Sequence, residues 1–135
     1  MLDRQDAPTP FMRHEYLAAM HHSRSAIDDT GWAAQFIVLE RDGELLGAAA
    51  LYLKGHSYGE YVFDWAWADA YNRHGLEYYP KLVIAAPMTP ATGRRVLSAP
   101  GADPDAVTAV LAAAVRAVAD DTGCSSIHWL FCTED

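Results

Sequence analysis

Between Tyr58 and Tyr79 the chain concentrates eight of its fifteen aromatic residues, interleaved with Glu60, Asp64, Asp69 and His74, with Lys81 just beyond. Rings this large are costly to leave in water, and a plain core does not mix them with so many titratable groups. Whatever the chain folds into has to accommodate this stretch. It is therefore the first place to look for a binding or catalytic surface.

At 135 residues the chain can bury one core and has little room for a second. Hydrophobic residues make up 51% and charged residues 21%, the profile of a soluble globular protein. No apolar run approaches the roughly 20 residues that cross a bilayer. Residues 1–6 lack the basic-then-apolar order of a signal peptide, so a cytoplasmic location is expected. The net charge of -8 argues against general nucleic-acid binding, which needs a concentrated positive surface, and directs attention to small-molecule or protein partners. The only adjacent arginines are Arg94 and Arg95, with Lys81 nearby in sequence. Cys124 and Cys132 fall at the two ends of a C-terminal extended stretch, about 26 Å apart at strand rise. A disulfide needs Cα atoms within about 7 Å, so buried, reduced thiols are expected.

Residues 11–22 show a helical pattern with Glu15, Tyr16, Leu17 and Met20 on one stripe. Residues 28–31 read as a loop. Two apolar runs, 35–40 and 45–54, flank Arg41-Asp42-Gly43-Glu44, where Asp-Gly supplies the positive φ angles of a hairpin turn. Residues 60–74 are predicted as a helix opened after Gly59 and closed by Gly75. On it Glu60, Asp64, Trp67, Tyr71 and His74 share a side, Tyr61 and Trp65 flank them, and Asp69 and Arg73 stand opposite at ion-pair spacing. A helix ringed by aromatics is buried or waits for a partner. Residues 78–86 read as a strand buried on both faces, and 87–95 as a loop. Asp103 is the expected N-cap of a helix with Pro104 in its first turn, an apolar stripe of Val107, Val110, Leu111, Ala114, Val115 and Val118, and Gly123 at its end. Residues 126–132 form the last predicted strand, Ile127, Trp129 and Phe131 facing one way and Leu130 the other. Such a strand belongs inside a sheet, and little chain remains to cover it. The expectation is an incomplete domain, finished by a further domain or by self-association.

Three constellations could carry chemistry. His56, Glu60 and Asp64 recur every four residues, as metal ligands do on a helix, but Gly55 and Gly59 take His56 off that helix and no HExxH motif is present. No metal is expected. Glu60, Asp64, Tyr71 and His74 would make a general-base face, with burial among tryptophans raising a carboxylate's proton affinity. The plainer reading is that the two carboxylates favour the positive end of the helix. The run from Lys81 to Asp105 puts Thr89, Thr92, Gly93, Arg94 and Arg95 after a buried strand, a loop suited to an anionic ligand, although neither a Walker loop nor GxGxxG occurs. Its plainer reading is a surface loop with solvated arginines. Ser57 lies in His-Ser-Tyr-Gly, not GxSxG, and no covalent intermediate is expected.

Residues 52–71, with Lys54-Gly55-His56-Ser57-Tyr58-Gly59-Glu60-Tyr61-Val62-Phe63-Asp64-Trp65 at their centre, then Tyr79-Pro80-Lys81-Leu82 and Pro87-Met88-Thr89-Pro90-Ala91-Thr92-Gly93, resemble the N-terminal half of the FemAB-like N-acyltransferases. Looser likeness at 11–32 and 126–134 extends the match over most of the chain. That family is related to the GNAT acetyltransferases and the peptidoglycan aminoacyltransferases. The resemblance implies an α/β (α+β) fold, a GNAT-like mixed sheet flanked by helices. It also implies transfer of an acyl or aminoacyl group from a thioester or ester to an amine, with two such domains in family members and the acceptor site shared between them. In that chemistry Glu60 or Asp64 would be the base and Tyr58 or Tyr79 a proton donor. Lys81, Thr92, Gly93, Arg94 and Arg95 would contact the donor phosphate, and His56, Ser57, Trp65, Trp67 and Tyr71 the substrate. No tightly bound cofactor is implied. An acidic chain favours acyl-CoA as donor over aminoacyl-tRNA, which needs a longer basic track. The rival expectation is a non-catalytic module that uses the aromatic helix to hold a peptide, a glycan or another subunit.

Overall fold

The computed structural model describes residues 9–133 and builds two sheets with helices against them. The Asp-Gly turn closes the hairpin as expected. Strand β2 (Ile37–Arg41) runs antiparallel to β3 (Glu44–Ala49), with Arg41 opposite Glu44 and the two turn residues at φ 54° and 79°. Positive φ at both central positions matches the twist of the flanking strands. The expected single strand over 45–54 is instead two. After Ala50 the chain enters the other sheet as β4 (Leu51–Lys54), while β3 pairs with β2 and with β6 (Val96–Ser98). Gly47-Ala48-Ala49-Ala50 has no bulky side chain to resist the bend between sheets. Strand β6 falls between the loop expected over 87–95 and the cap at Asp103, where no element was predicted; its three residues are too few to show a period.

The larger sheet has the order β1 (Ala33–Ala34), β4, β5 (Lys81–Ile84), β7 (Ile127–Trp129). Strand β5 is antiparallel to β4 and parallel to β7, so the sheet is mixed and the fold is α+β. Side chains alternate across it. Leu51, Leu82 and Ile84 meet Val115 and Ala119 of α3 (Pro104–Thr122), joined by the half-buried Leu53, Ile127 and Trp129. On the other face Ala50 and Tyr52 join Trp32, Met12, Ala26 and Ala86, with Leu17 and Met20 of α1 (His14–His22) against them. A 3-10 turn at Pro10–Met12 leads into α1, and Glu15, expected on the buried stripe, is exposed: this helix covers its neighbours only through Tyr16, Leu17 and Met20.

Helix α3 forms where expected. The Asp103 carboxylate accepts hydrogen bonds from the Asp105 and Ala106 amides at 3.0 and 3.4 Å, satisfying donors the helix cannot. Gly123 ends it at φ 66°. Its buried line is Val107, Leu111, Val115 and Ala119, at every fourth position, whereas Val110 of the predicted stripe is 48% exposed and Ala114 and Val118 are half-buried. One line of contacts is enough because α3 lies close on β3.

The C-terminal strand departs most from expectation. Predicted as interior over 126–132, it pairs only over Ile127–Trp129, at the edge of the sheet beside β5, with all three residues half-buried. Phe131 adopts φ 53° and leaves the extended line, so it packs with Leu130, Val83 and Ala85 rather than with Ile127 and Trp129. Both cysteines are free; Cys124 is half-buried, and Cys132, expected buried, is exposed beyond the strand's end. Among the described residues no helix is long and apolar enough to cross a membrane.

Gly47 is the contact point between α3 and the smaller sheet: a Cβ there would lie 2.4 Å from Val107 Cγ1 and 3.2 Å from the Leu97 carbonyl oxygen. Gly47→Ala is expected to lower stability by about 1–3 kcal/mol in a urea unfolding titration. An unchanged midpoint would show that α3 is not seated directly on β3.

Candidate functional site

The stretch that was predicted as one helix over 60–74 is a turn followed by a short helix, α2 (Trp65–Arg73). Gly59 at φ 79° and Tyr61 at φ 61° take the backbone into the left-handed region. Gly59 also lies under Met88, where a Cβ would be 2.4 Å from Sδ. Glu60 and Asp64 therefore do not share a helix face. They are 2% and 5% exposed, turned beneath the segment toward a lysine. Asp64 occupies the N-cap position of α2 yet makes no cap hydrogen bond. Its carboxylate is engaged elsewhere.

That engagement follows from the sheet. Lys54 ends β4 and Lys81 begins β5, and the two stand opposite each other in the antiparallel register. Alternation puts both on the face away from α3, and both are fully buried. Two ammonium groups side by side in the interior demand counter-charges. Lys81 Nζ donates to Glu60 Oε2 at 2.7 Å and makes a short contact with Asp64 Oδ2. The Tyr78 hydroxyl donates to Asp64 Oδ2 at 2.9 Å and the Tyr79 hydroxyl to Oδ1 at 2.8 Å. Lys54 Nζ lies 3.8 Å over the Trp32 ring, 4.0 Å from Glu60 Oε1, and donates to the Tyr58 carbonyl at 3.1 Å. Among the described residues Glu60 Oε1 finds no hydrogen-bond partner, and neither does the buried Ser57 hydroxyl.

Three of these charges respond differently to burial. Desolvation pushes Glu60 up, against the pull of Lys81 and Lys54. Desolvation also acts to raise Asp64, but the hydrogen bonds from Lys81, Tyr79 and Tyr78 outweigh it and bring the carboxyl down to about 2. Burial lowers Lys54 to about 8, opposed by Glu60 and aided by Lys81. Tyr78 is raised by burial and by Asp64. One carboxylate is thus held ionised while its neighbour has enhanced proton affinity, the separation that assigns distinct roles to paired carboxylates.

Beside Asp64 the cluster meets a pocket of about 350 Å³, lined by Val62, Phe63, Trp67, Tyr71, Tyr78, Ser126 and His128 as well. Tyr71 meets Tyr78 edge to face at 5.1 Å. Trp67 is 66% exposed and Trp65, which stacks on Phe63, is 58% exposed, so α2 presents its rings outward instead of burying them. Asp69 and Arg73 pair along its outer side, as their spacing predicts. His74, expected on the acidic face, is exposed at the helix end. His56 meets Tyr58 edge to face at 5.0 Å and covers Gly31. The Tyr58 ring is 64% exposed; its carbonyl, rather than its phenol, meets the cluster.

Lys81 stands apart from the other residues predicted to hold an anion. Lys81 belongs to the buried cluster at the start of β5, whereas the 87–95 loop follows that strand's other end. Arg95 is 3% exposed and spends its guanidinium on the chain itself: Nε donates to the Leu130 carbonyl at 2.8 Å, and Nη2 to the Phe131 carbonyl at 3.1 Å and to that of Ala91. With the Gly93 amide donating to Phe131 O, it clamps the loop to the C-terminal segment. Thr92 is exposed, and Arg94 and Arg95 both line a separate pocket of about 300 Å³ with Ser98, Asp105, Thr108 and Cys132; the buried Arg95 Nη1 has no hydrogen bond among the described residues.

Lys54, Tyr78, Ser126 and His128 were not singled out from the sequence. Lys54 carried a signal, a lysine ending the apolar run Leu51-Tyr52-Leu53. Ser126 and His128 alternate with Ile127 and Trp129, which in a half-buried strand puts the polar pair on one face.

The ionised Asp64 contributes stability at neutral pH. Because its folded value lies below the unfolded one, that contribution is present above about pH 4 and lost as pH falls toward 2, roughly 2 kcal/mol in all. Asp64→Asn is therefore expected to be less stable than wild type at pH 6, with the difference shrinking as pH drops from 4 to 2 in denaturant titrations. A constant difference would mean that the carboxylate is not held ionised by its neighbours.

Residues 2–135 match the FemAB-like family, described as peptidoglycan biosynthesis/recognition. No curated protein and no solved structure matches the chain. A match over this much of the sequence, on the segment that builds the buried cluster and its pocket, means that the chain belongs to the FemAB-like family.

Proposed function

We propose that this chain serves peptidoglycan metabolism as an N-acyltransferase module, passing an acyl or aminoacyl group from a thioester or ester donor to an amine. The observation that carries the reading is the pocket beside Asp64, where aromatic walls meet a carboxylate held ionised by Lys81, Tyr78 and Tyr79. Amide formation builds positive charge on the attacking nitrogen and negative charge on the acyl oxygen, and a site with fixed charges behind a ring-lined wall suits both. In this scheme Asp64 steadies the attacking amine. Glu60, behind Lys81 and with enhanced proton affinity, accepts protons through the cluster. Tyr79 and Tyr78 keep Asp64 aligned. The donor is acyl-CoA, its phosphates reaching Arg94 at the second pocket; ten basic residues against eighteen acidic ones are a poor match for tRNA.

A second reading, a recognition module without turnover, is favoured by the exposure of Phe63, Trp65 and Trp67. The two are separated by incubating the protein with acetyl-CoA and a muropeptide carrying a free amine. The transferase reading expects an amide product, reduced about 100-fold in Asp64→Asn and in Glu60→Gln. Quenching of tryptophan fluorescence by the muropeptide without any product would establish the recognition module instead. Unchanged rates in both variants would remove the carboxylates from the mechanism.

A further inference from the structure

Strand alternation puts Ser126 and His128 on the face of the sheet that holds Lys81, since His128 stands opposite Val83 in the parallel register. Ser126 Oγ lies 2.8 Å from His128 Nε2, within hydrogen-bond reach, and the same nitrogen is 3.5 Å from the Tyr78 hydroxyl. Both residues are half-buried and line the pocket that Asp64, Trp67 and Tyr71 share. A serine hydroxyl is a weak nucleophile until a neighbouring base can take its proton, and a base within hydrogen-bond distance is the geometric requirement. Burial and the Lys81 charge disfavour the imidazolium, against the opposing pull of Asp64, so the ring is available as an acceptor. The Tyr78 hydroxyl spends its proton on Asp64, so Ser126 is the hydroxyl with a proton to give to Nε2, in the tautomer that carries its ring proton on Nδ1. No GxSxG elbow marks this serine; the strand supplies the placement that an elbow gives elsewhere.

We propose that Ser126 and His128 form a nucleophile–base pair that carries the acyl group as a serine ester between donor and amine, a deepening that rests on the acyl-transfer reading. Ser126 Oγ attacks the acyl carbonyl carbon while its proton passes to His128 Nε2. The bond to the leaving thiol or alcohol breaks, and that leaving group receives the proton from His128. An amine then attacks the Ser126 ester; on this route His128, in place of Glu60, takes the amine's proton, the bond between the acyl carbon and Ser126 Oγ breaks as the amide forms, and the proton passes to Ser126 Oγ. No oxidant, metal or further reactant is consumed.

The test uses the full chain and p-nitrophenyl acetate as the acyl probe, with and without n-butylamine, followed by peptide mass mapping. One acetyl group is expected on the peptide containing Ser126, released as N-butylacetamide when the amine is added. Labelling should fall about tenfold or more in Ser126→Ala and in His128→Gln, with their thermal unfolding followed in parallel. Ser126→Cys should retain the label as a thioester, which separates loss of the nucleophile from loss of the fold. Amide formation with no acetyl group on Ser126, undiminished in Ser126→Ala, would overturn the pair while leaving the transferase reading intact. A Ser126 adduct that no amine discharges would keep the nucleophile–base pair but sink transfer to amines. Neither adduct nor amide would overturn both.

Discussion

Two lysines facing each other across adjacent strands, in the interior of a 135-residue protein, are the constraint around which the rest is arranged. Unpaired, each buried ammonium would cost several kcal/mol. The register of β4 on β5 fixes the pair, and the turn before α2 then has to deliver two carboxylates to it. That requirement explains why the turn passes through left-handed geometry at Gly59 and Tyr61, and why Asp64 leaves the helix start uncapped. Replacing the quartet with apolar groups of equal volume would serve stability as well or better. A quartet that folding does not require, set beside an open pocket, fits the chemical role proposed for it.

The features legible in the sequence were those governed by local rules. The Asp42-Gly43 turn, the Asp103 cap and the 3.6-residue period of α3 each depend on residues within a few positions of one another. Membership of the family was legible for a related reason, since the 52–71 motif is contiguous. What failed depended on partners distant in sequence. The period of residues 60–74 is helical on paper, but Lys81 outcompetes the helix for Glu60 and Asp64. The run 45–54 is uniformly strand-like, and nothing in its composition says that it changes sheet at Ala50.

The same limit applied to the site. Glu60, Asp64, Tyr79, Trp67 and Tyr71 stand out in the sequence because they lie in a conspicuous cluster; the structure ties Glu60, Asp64 and Tyr79 together around Lys81 and sets Trp67 and Tyr71 in the pocket beside Asp64. Lys81 was assigned to the loop that follows its own strand, when its partners come from the turn before α2. Arg95 reads in the sequence as a ligand-binding cation, and the structure gives Nε and Nη2 to the carbonyls of Ala91, Leu130 and Phe131 while the residue still lines the pocket with Arg94. A pair of arginines in a loop is ambiguous until the backbone oxygens around it are known. His128 and Ser126 were hidden within a strand whose apolar half attracted the attention.

The pocket wall formed by β7 has a consequence for how activity could be acquired. Its residues at 126–128 meet partners near 64 and 78, separations of roughly half the chain, and such contacts form late because they must close long loops first. The hairpin and α3 can be in place while the pocket is still open on one side. A ligand spanning Asp64 and His128 would join the last strand to the aromatic helix, so occupancy and docking of that strand become thermodynamically linked. Under that coupling, a pool of chains with β7 undocked would be drawn into the assembled state by the ligand itself, and the concentration of ligand would set the fraction of competent molecules.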